Sequence, residues 1–168
     1  QNHFVIGLID DHLRKIHYGY GYSCHVCLLR PYSRGRVSLA SAKVSDDPII
    51  DPNFFSDVRD LKTLIKGAKF TQDILNSAPL NKYKLKEIYG VHHNLSDLEW
   101  EEHIRDRADT IYHPVGTCKM GNDELAVVDN KLKIKGLKNI RVADASIMPK
   151  ITSGNTNAPT IMIAEKCS

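Results

Sequence analysis

The run Ile111-Tyr112-His113-Pro114-Val115-Gly116-Thr117-Cys118-Lys119-Met120-Gly121 constrains this chain more than any other stretch. The proline after His113 biases that histidine toward an extended backbone and away from the helical region. Gly116 and Gly121 permit tight or left-handed turns that other residues resist. The run therefore reads as a loop or strand end that presents one imidazole from a rigid frame. An imidazole titrates close to neutrality, so a fixed one is a natural proton acceptor. The plainer reading is a histidine that hydrogen-bonds inside a turn, and the run alone leaves both open.

The frame around it is that of an ordinary globular chain. With 168 residues it can form a real core, and 26% charged and 42% hydrophobic residues are typical of such chains. The net charge of +3 is mild. Lys131, Lys133, Lys135 and Lys138 alternate with apolar residues and lack aromatic partners, as on the solvated side of a strand, so no nucleic acid is expected as a partner. No apolar run approaches the roughly 18 residues that a membrane-spanning helix needs. Asp10 and Asp11 close the short apolar run at the N-terminus, which does not resemble a signal peptide. The expected setting is cytoplasmic or peripherally membrane-associated. A first residue of Gln rather than Met suggests a fragment or a processed piece.

Cys24, Cys27, Cys118 and Cys167 are too few for a disulfide scaffold. Cys24-His25-Val26-Cys27 matches CxxC, but a second CxxC or a nearby histidine pair would be needed for zinc. His92 and His93 are adjacent and on a strand would face opposite sides. The expectation is no metal site, with Cys24 and Cys27 reduced and internal on a strand.

Along the chain, residues 1–19 show little periodicity and remain unassigned. Residues 19–29 are rich in aromatic, β-branched and small residues and read as a strand. After the turn at Arg30 to Gly35, residues 36–40 alternate and read as its hairpin partner. Residues 47–53 are extended by their prolines. Residues 56–76 form the clearest helix, capped by Ser56, with Asp57 and Asp60 in the first turn. Leu61, Leu64, Ile65, Ala68, Thr71, Gln72 and Leu75 supply its inner face. A second helix starts at Ser96, whose spacing to Glu99 is that of a capping box, with Leu98, Ile104 and Ala108 as a partial apolar stripe. Short strands are expected at 125–128 and 140–143, with a turn at 135–139. The polar run Thr152 to Asn157 leads into a buried helix over 158–166 with proline in its first turn. The start of such a helix presents free N–H groups.

Taken together, several of these stretches carry a resemblance. His113 to Gly121, Val128-Asp129, Gly136 to Pro149 (GLKNIRVADASIMP) and Asn155 to Lys166 (NTNAPTIMIAEK) resemble the C-terminal part of the glucose-methanol-choline (GMC) oxidoreductases. Upstream, Leu29-Arg30-Pro31, Ser33-Arg34-Gly35 and Ile50-Asp51-Pro52-Asn53-Phe54 resemble the same family, closest to its choline dehydrogenase-like and alcohol dehydrogenase-like flavoproteins.

The resemblance implies an FAD enzyme that oxidises an alcohol to an aldehyde or ketone. His113 matches the active-site histidine, which would take the hydroxyl proton or hold the alkoxide while hydride leaves for the flavin. Asn157 matches the second active-site position and would donate a hydrogen bond to the substrate oxygen. Asp144 and Ala145 match the segment along the flavin's ribityl and diphosphate part. Asn157, Ala158, Pro159 and Thr160 match the helix start that faces its pyrimidine ring.

The chain departs from the family in having no GxGxxG, the fingerprint that holds the ADP half of FAD. It is thus expected to be a C-terminal fragment that lacks tight FAD binding by itself, with the N-terminal FAD-binding half and a small-molecule alcohol as partners. The alternative is a catalytically inactive fragment or interaction module. The expected fold is α+β. A mostly antiparallel sheet with helices would form the substrate-binding segment, residues 1–111, and residues 112–168 would complete a Rossmann-like FAD domain. Apart from its other half, the chain would expose an apolar face on the helix from Pro159 to Ala164.

Overall fold

The structure is a computed structural model that describes residues 1–11, 14–89, 91 and 95–168, with the Ile16 side chain left undescribed. The expectation for His92 and His93 lies outside the described residues. The chain divides into two compact units that interleave in sequence: Gln1–Leu28 with Asp57–Asp109, and Leu29–Ser56 with Thr110–Ser168.

In the first unit, β1 (Asn2–Val5) and β4 (Ser23–Val26) pair antiparallel, Phe4 opposite Cys24. The short β2 (Ile9–Asp10) and β3 (Lys15–Ile16) form a second antiparallel pair. The long helix α1 (Val58–Leu75) packs against β4 and against a later helix, α3 (Asp97–Arg107). Leu61, Ile65 and Ala68 recur at i, i+4 and i+7, so they share the inward face of α1 and are buried. Trp100 and Ile104 meet the same spacing on α3 and are also buried. Full burial of each Leu or Ile contributes about 1.5–3 kcal/mol. A glycine inside a helix costs about 0.5–1 kcal/mol, yet Gly67 has a reason to be there. A Cβ at that position would stand 2.9 Å from Val26 Cγ2, so only glycine lets α1 approach β4 this closely.

Both helix starts are fixed by side chains. Asp57, rather than Ser56, caps α1, because its carboxylate accepts the Arg59 N–H. Ser96 caps α3 with the full reciprocal capping box to Glu99. Pro79, just beyond the end of α1, sits in the one-turn helix α2 (Ala78–Asn81). Leu98, assigned above to the inner stripe of α3, is 66% exposed, and Trp100 takes that place.

In the second unit, β5 (Arg36–Ser38) pairs antiparallel with β6 (Ile49–Asp51). The expected hairpin between residues 19–29 and 36–40 is therefore not formed: one strand pairs with the N-terminus, the other with residues 49–51. Nor is there one continuous antiparallel sheet, since the described strands form three separate two-stranded ladders. Gly35 is required at the start of β5, where a Cβ would lie 2.2 Å from the Asp51 carbonyl oxygen.

Residues 125–128 and 140–143 make single bridges rather than strands: Met120 with Val128, Val128 with Ile134, and Lys133 with Arg141. Leu132, Gly136 and Asn139 all have positive φ, which turns the chain before a ladder can extend. The exposed Lys131 lies on a turn and the exposed Lys133 in a single bridge, their N–H groups donated to the Asp129 carboxylate. Val128, Ala126, Ile147 and Met148 form the core of this unit. Helix α4 (Asn157–Cys167) follows the expected span but buries none of its residues. Ile161 and Met162 are more than half exposed, so the helix is not buried as its composition suggested but shows the outward apolar face expected between Pro159 and Ala164 for this chain apart from its other half.

The observed fold is α+β, with helices and small antiparallel sheets. No helix among the described residues is long and apolar enough to cross a membrane.

Candidate functional site

The loop that carries His113 is built from the backbone outward. Tyr112, just before the histidine, has a φ of 65°, a strained value for a bulky residue. Its N–H is donated to Thr110 Oγ1. Gly116 follows with a φ of 93°. That turn aims successive N–H groups at one neighbour: Gly116 and Cys118 both donate to the Ser146 carbonyl at 3.1 Å, and Met120 donates to the Ile147 carbonyl at 2.8 Å. The loop is thus stitched to the 3-10 turn Ala145–Ile147.

Asp144 caps that turn. Its Oδ1 accepts the Ser146 N–H at 2.8 Å and the Ser146 hydroxyl at 2.5 Å. The turn in turn packs against α4. Ahead of α4, Arg30 Nε donates to Ser153 Oγ at 2.7 Å, which ties the Arg30-Pro31 stretch to the polar loop at 152–157.

His113 and the start of α4 meet directly. His113 Nδ1 lies 3.1 Å from Thr156 Oγ1 and 3.4 Å from the Thr156 backbone nitrogen, whose N–H points at it. Thr156 is 6% exposed, and its carbonyl accepts from both the N–H and the hydroxyl of Thr160. Asn157 comes next in sequence and is exposed, as is Ala158. Thr156 does not turn its hydroxyl to the helix N–H groups as a cap, which leaves the first turn of α4 open.

Of the residues singled out in the sequence, His113, Asp144, Ala145, Asn157, Ala158, Pro159 and Thr160 all lie in this one unit, on three neighbouring segments. Among the described residues only Nδ1 of the His113 ring is engaged, so Nε2 is the nitrogen left for a ligand. The site therefore offers one imidazole nitrogen, one exposed amide side chain and an uncapped helix start with a small residue in its first turn. Thr156 went unremarked as a site residue in the sequence. The signal was faint: one of three hydroxyls in a run of six small or polar residues.

All four cysteines are free. Cys24 and Cys27 are free and half-buried, and Cys27 Sγ lies 3.6 Å from His3 Nε2. Burial raises the Cys24 pKa, which disfavours the thiolate that metal or redox chemistry needs. Among the described residues no group of three or more His, Cys, Asp or Glu side chains is placed to hold a metal. The Cys118 N–H is part of the stitching of the His113 loop.

A GMC oxidoreductase family profile matches residues 31–164. The chain is 53% identical over 168 residues to an alcohol dehydrogenase [acceptor] of Pseudomonas putida, all of this chain and 30% of that protein. It is 42% identical over 170 residues to a mitochondrial choline dehydrogenase of Homo sapiens, covering 29% of it. A solved formate oxidase of Aspergillus oryzae RIB40, studied for the modification of its FAD, superposes on 93% of the chain at 33% identity. The TM-score is 0.80, and 28% of that protein is covered. A pyridoxine 4-oxidase from Mesorbium loti superposes on 88% at 34% identity and a TM-score of 0.79, covering 28% of that chain. The chain thus spans about 30% of the length of the curated relatives it matches.

Proposed function

This chain belongs to the GMC oxidoreductase family, and from that membership we propose that it is the C-terminal portion of an enzyme that oxidises an alcohol to an aldehyde or ketone with FAD. The reading carries over what the relatives' names state, alcohol and choline dehydrogenases, to a small-molecule alcohol substrate. The observation that supports it most is the contact of His113 with Thr156, which brings the imidazole to the residue before Asn157.

In this proposal His113 engages the substrate hydroxyl through Nε2, taking its proton or holding the alkoxide, and Asn157 donates a second hydrogen bond to the same oxygen. Two groups on one oxygen hold charge where it develops, which is worth most when water is excluded. The FAD, when bound, supplies the acceptor for the hydride that leaves the alcohol carbon. Asp144 and Ala145 would hold its ribityl and diphosphate part, and Asn157, Ala158, Pro159 and Thr160 its pyrimidine ring. The residues fit that role. The start of α4 is open because Thr156 spends its hydroxyl on His113, and its N–H groups favour an electron-rich neighbour.

We assign residues 1–111 to the substrate-binding domain and 112–168 to the segment that carries the active site and completes a Rossmann-like FAD domain. The N-terminal FAD-binding half of the same enzyme is the partner, and the location is cytoplasmic or at a membrane periphery. A flavin titration tests the proposal. FAD is added to the purified chain, alone and with the N-terminal half, and flavin absorbance and fluorescence are followed. Tight binding with the half present, together with turnover of an alcohol, supports the reading. Binding in neither case would overturn it in favour of an inactive remnant.

A further inference from the structure

We propose that Thr156 sets the tautomer of His113, so that the neutral ring carries its proton on Nε2 and offers the substrate oxygen a donor rather than a lone pair. The inference rests on the proposed role of His113 and narrows it, choosing between the two ways in which the ring could engage an alcohol before any bond changes.

The argument is one of donor and acceptor accounting. Neutral imidazole has one N–H and one lone pair, and the partner of one nitrogen decides which nitrogen holds the proton. The Thr156 backbone N–H points at Nδ1 from 3.4 Å. A backbone N–H only donates, so a proton on Nδ1 would set two N–H groups against each other. The Thr156 hydroxyl, 3.1 Å from the same nitrogen, serves either tautomer, because a hydroxyl both donates and accepts. Only one arrangement makes both contacts favourable: Nδ1 unprotonated, accepting from the hydroxyl and, more weakly, from the backbone N–H. The proton is then on Nε2.

The site of this lock is well fixed. Thr156 is 6% exposed, so water competes poorly for Nδ1. Its carbonyl is held by the Thr160 N–H at 3.0 Å and the Thr160 hydroxyl at 2.6 Å, which anchors the residue to the first turn of α4. Thr156 is on this account a positioning residue. It acts on the substrate only through the ring of His113.

The test is a long-range proton–nitrogen NMR correlation on the full chain with 15N-labelled histidine, at a pH where histidine is neutral, about 8. His113→Gln identifies the signals by their loss. The parent is expected to show an unprotonated Nδ1 and a protonated Nε2 for His113. Thr156→Val keeps the shape and the backbone N–H but removes the hydroxyl. It is expected to leave Nδ1 the unprotonated nitrogen, still facing the backbone N–H, while the Nδ1 signal moves toward that of a nitrogen without a strong donor, and Thr156→Ser to restore the parent signal. A protonated Nδ1 in the parent overturns the proposal without any variant. So does a Thr156→Val spectrum in which Nδ1 becomes the protonated nitrogen, or in which the Nδ1 signal does not move at all. If Thr156→Val fails to fold, shown by loss of dispersion for His3 and His103 in the other unit as well, the parent spectrum alone decides. Because flavin is absent, none of these outcomes depends on whether the enzyme oxidises alcohols, so failure of the lock and failure of the proposed activity are told apart.

Discussion

Replacing Gly116 by alanine probes the frame that holds His113. Gly116 has a φ of 93°, beyond the ordinary left-handed basin of about 50–70°, and a side chain there costs about 1–3 kcal/mol. Alanine also restricts the unfolded chain, which offsets about 0.4–1 kcal/mol. Steric overlap adds little, because the new Cβ would lie 3.5 Å from the Met148 carbonyl oxygen, an ordinary contact. With the middle of each range, about 2 less about 0.7, the net loss is about 1.3 kcal/mol, which corresponds to roughly tenfold more frequent local opening. The N–H groups of Cys118 and Met120 report it directly, since they donate to Ser146 and Ile147 across the loop. Their hydrogen exchange, followed by NMR, is expected to speed up by that factor. Gly154→Ala is the control: its φ is not positive and a Cβ there meets nothing within 4 Å, so those amides are expected to keep their rates. Unchanged or slower exchange in Gly116→Ala would refute the claim that the left-handed turn holds the loop.

Leu61→Ala removes a side chain that is 1% exposed on the inward face of α1, and a loss of about 2–5 kcal/mol is expected in urea denaturation followed by Trp100 fluorescence. Ser96→Ala breaks the capping box of α3 and is expected to cost about 1 kcal/mol in the same assay. Asp10 is 7% exposed and is bonded by Tyr89 and by His17 Nε2 at 2.9 Å, with Arg107 at 3.7 Å. These bonds, with Tyr89 first, hold its pKa below the ordinary 3.8. Its contribution to stability is therefore complete above about pH 4 and fades as pH falls through its lowered folded value. Asp10→Asn is expected to flatten the acid limb of the stability–pH curve, and an unchanged limb would count against the pairing.

Local rules carried much of this structure into view. The apolar spacing on α1 placed Leu61, Ile65 and Ala68 inside, and Ser96 with Glu99 announced the start of α3. Long-range pairing was not legible. Residues 23–26 looked like a strand, but nothing local says that they pair with residues 2–5, across an intervening stretch with no clear period. Asp57 and Ser56 are both capping residues, and only the bond to the Arg59 N–H chooses between them. The bridges around Val128 looked like strands because their apolar residues alternate. The positive φ values of Leu132 and Asn139, neither a glycine, broke that pattern unseen. At the candidate site, the imidazole and the helix start stood out by composition. Thr156 did not, because a polar loop does not reveal which of its hydroxyls turns inward.

The central claim is that His113 carries the chemistry, and it is tested most directly by the rate of flavin reduction. In the FAD-loaded enzyme that contains this chain, an alcohol substrate is mixed anaerobically with parent and with His113→Ala, and bleaching of the flavin is timed at saturating alcohol. A positioned proton-transfer or hydrogen-bonding group contributes about 10²–10⁴-fold, so the variant is expected to reduce its flavin at least a hundredfold more slowly, with flavin content unchanged. A variant that holds its flavin and reduces it within a few-fold of the parent would contradict the account.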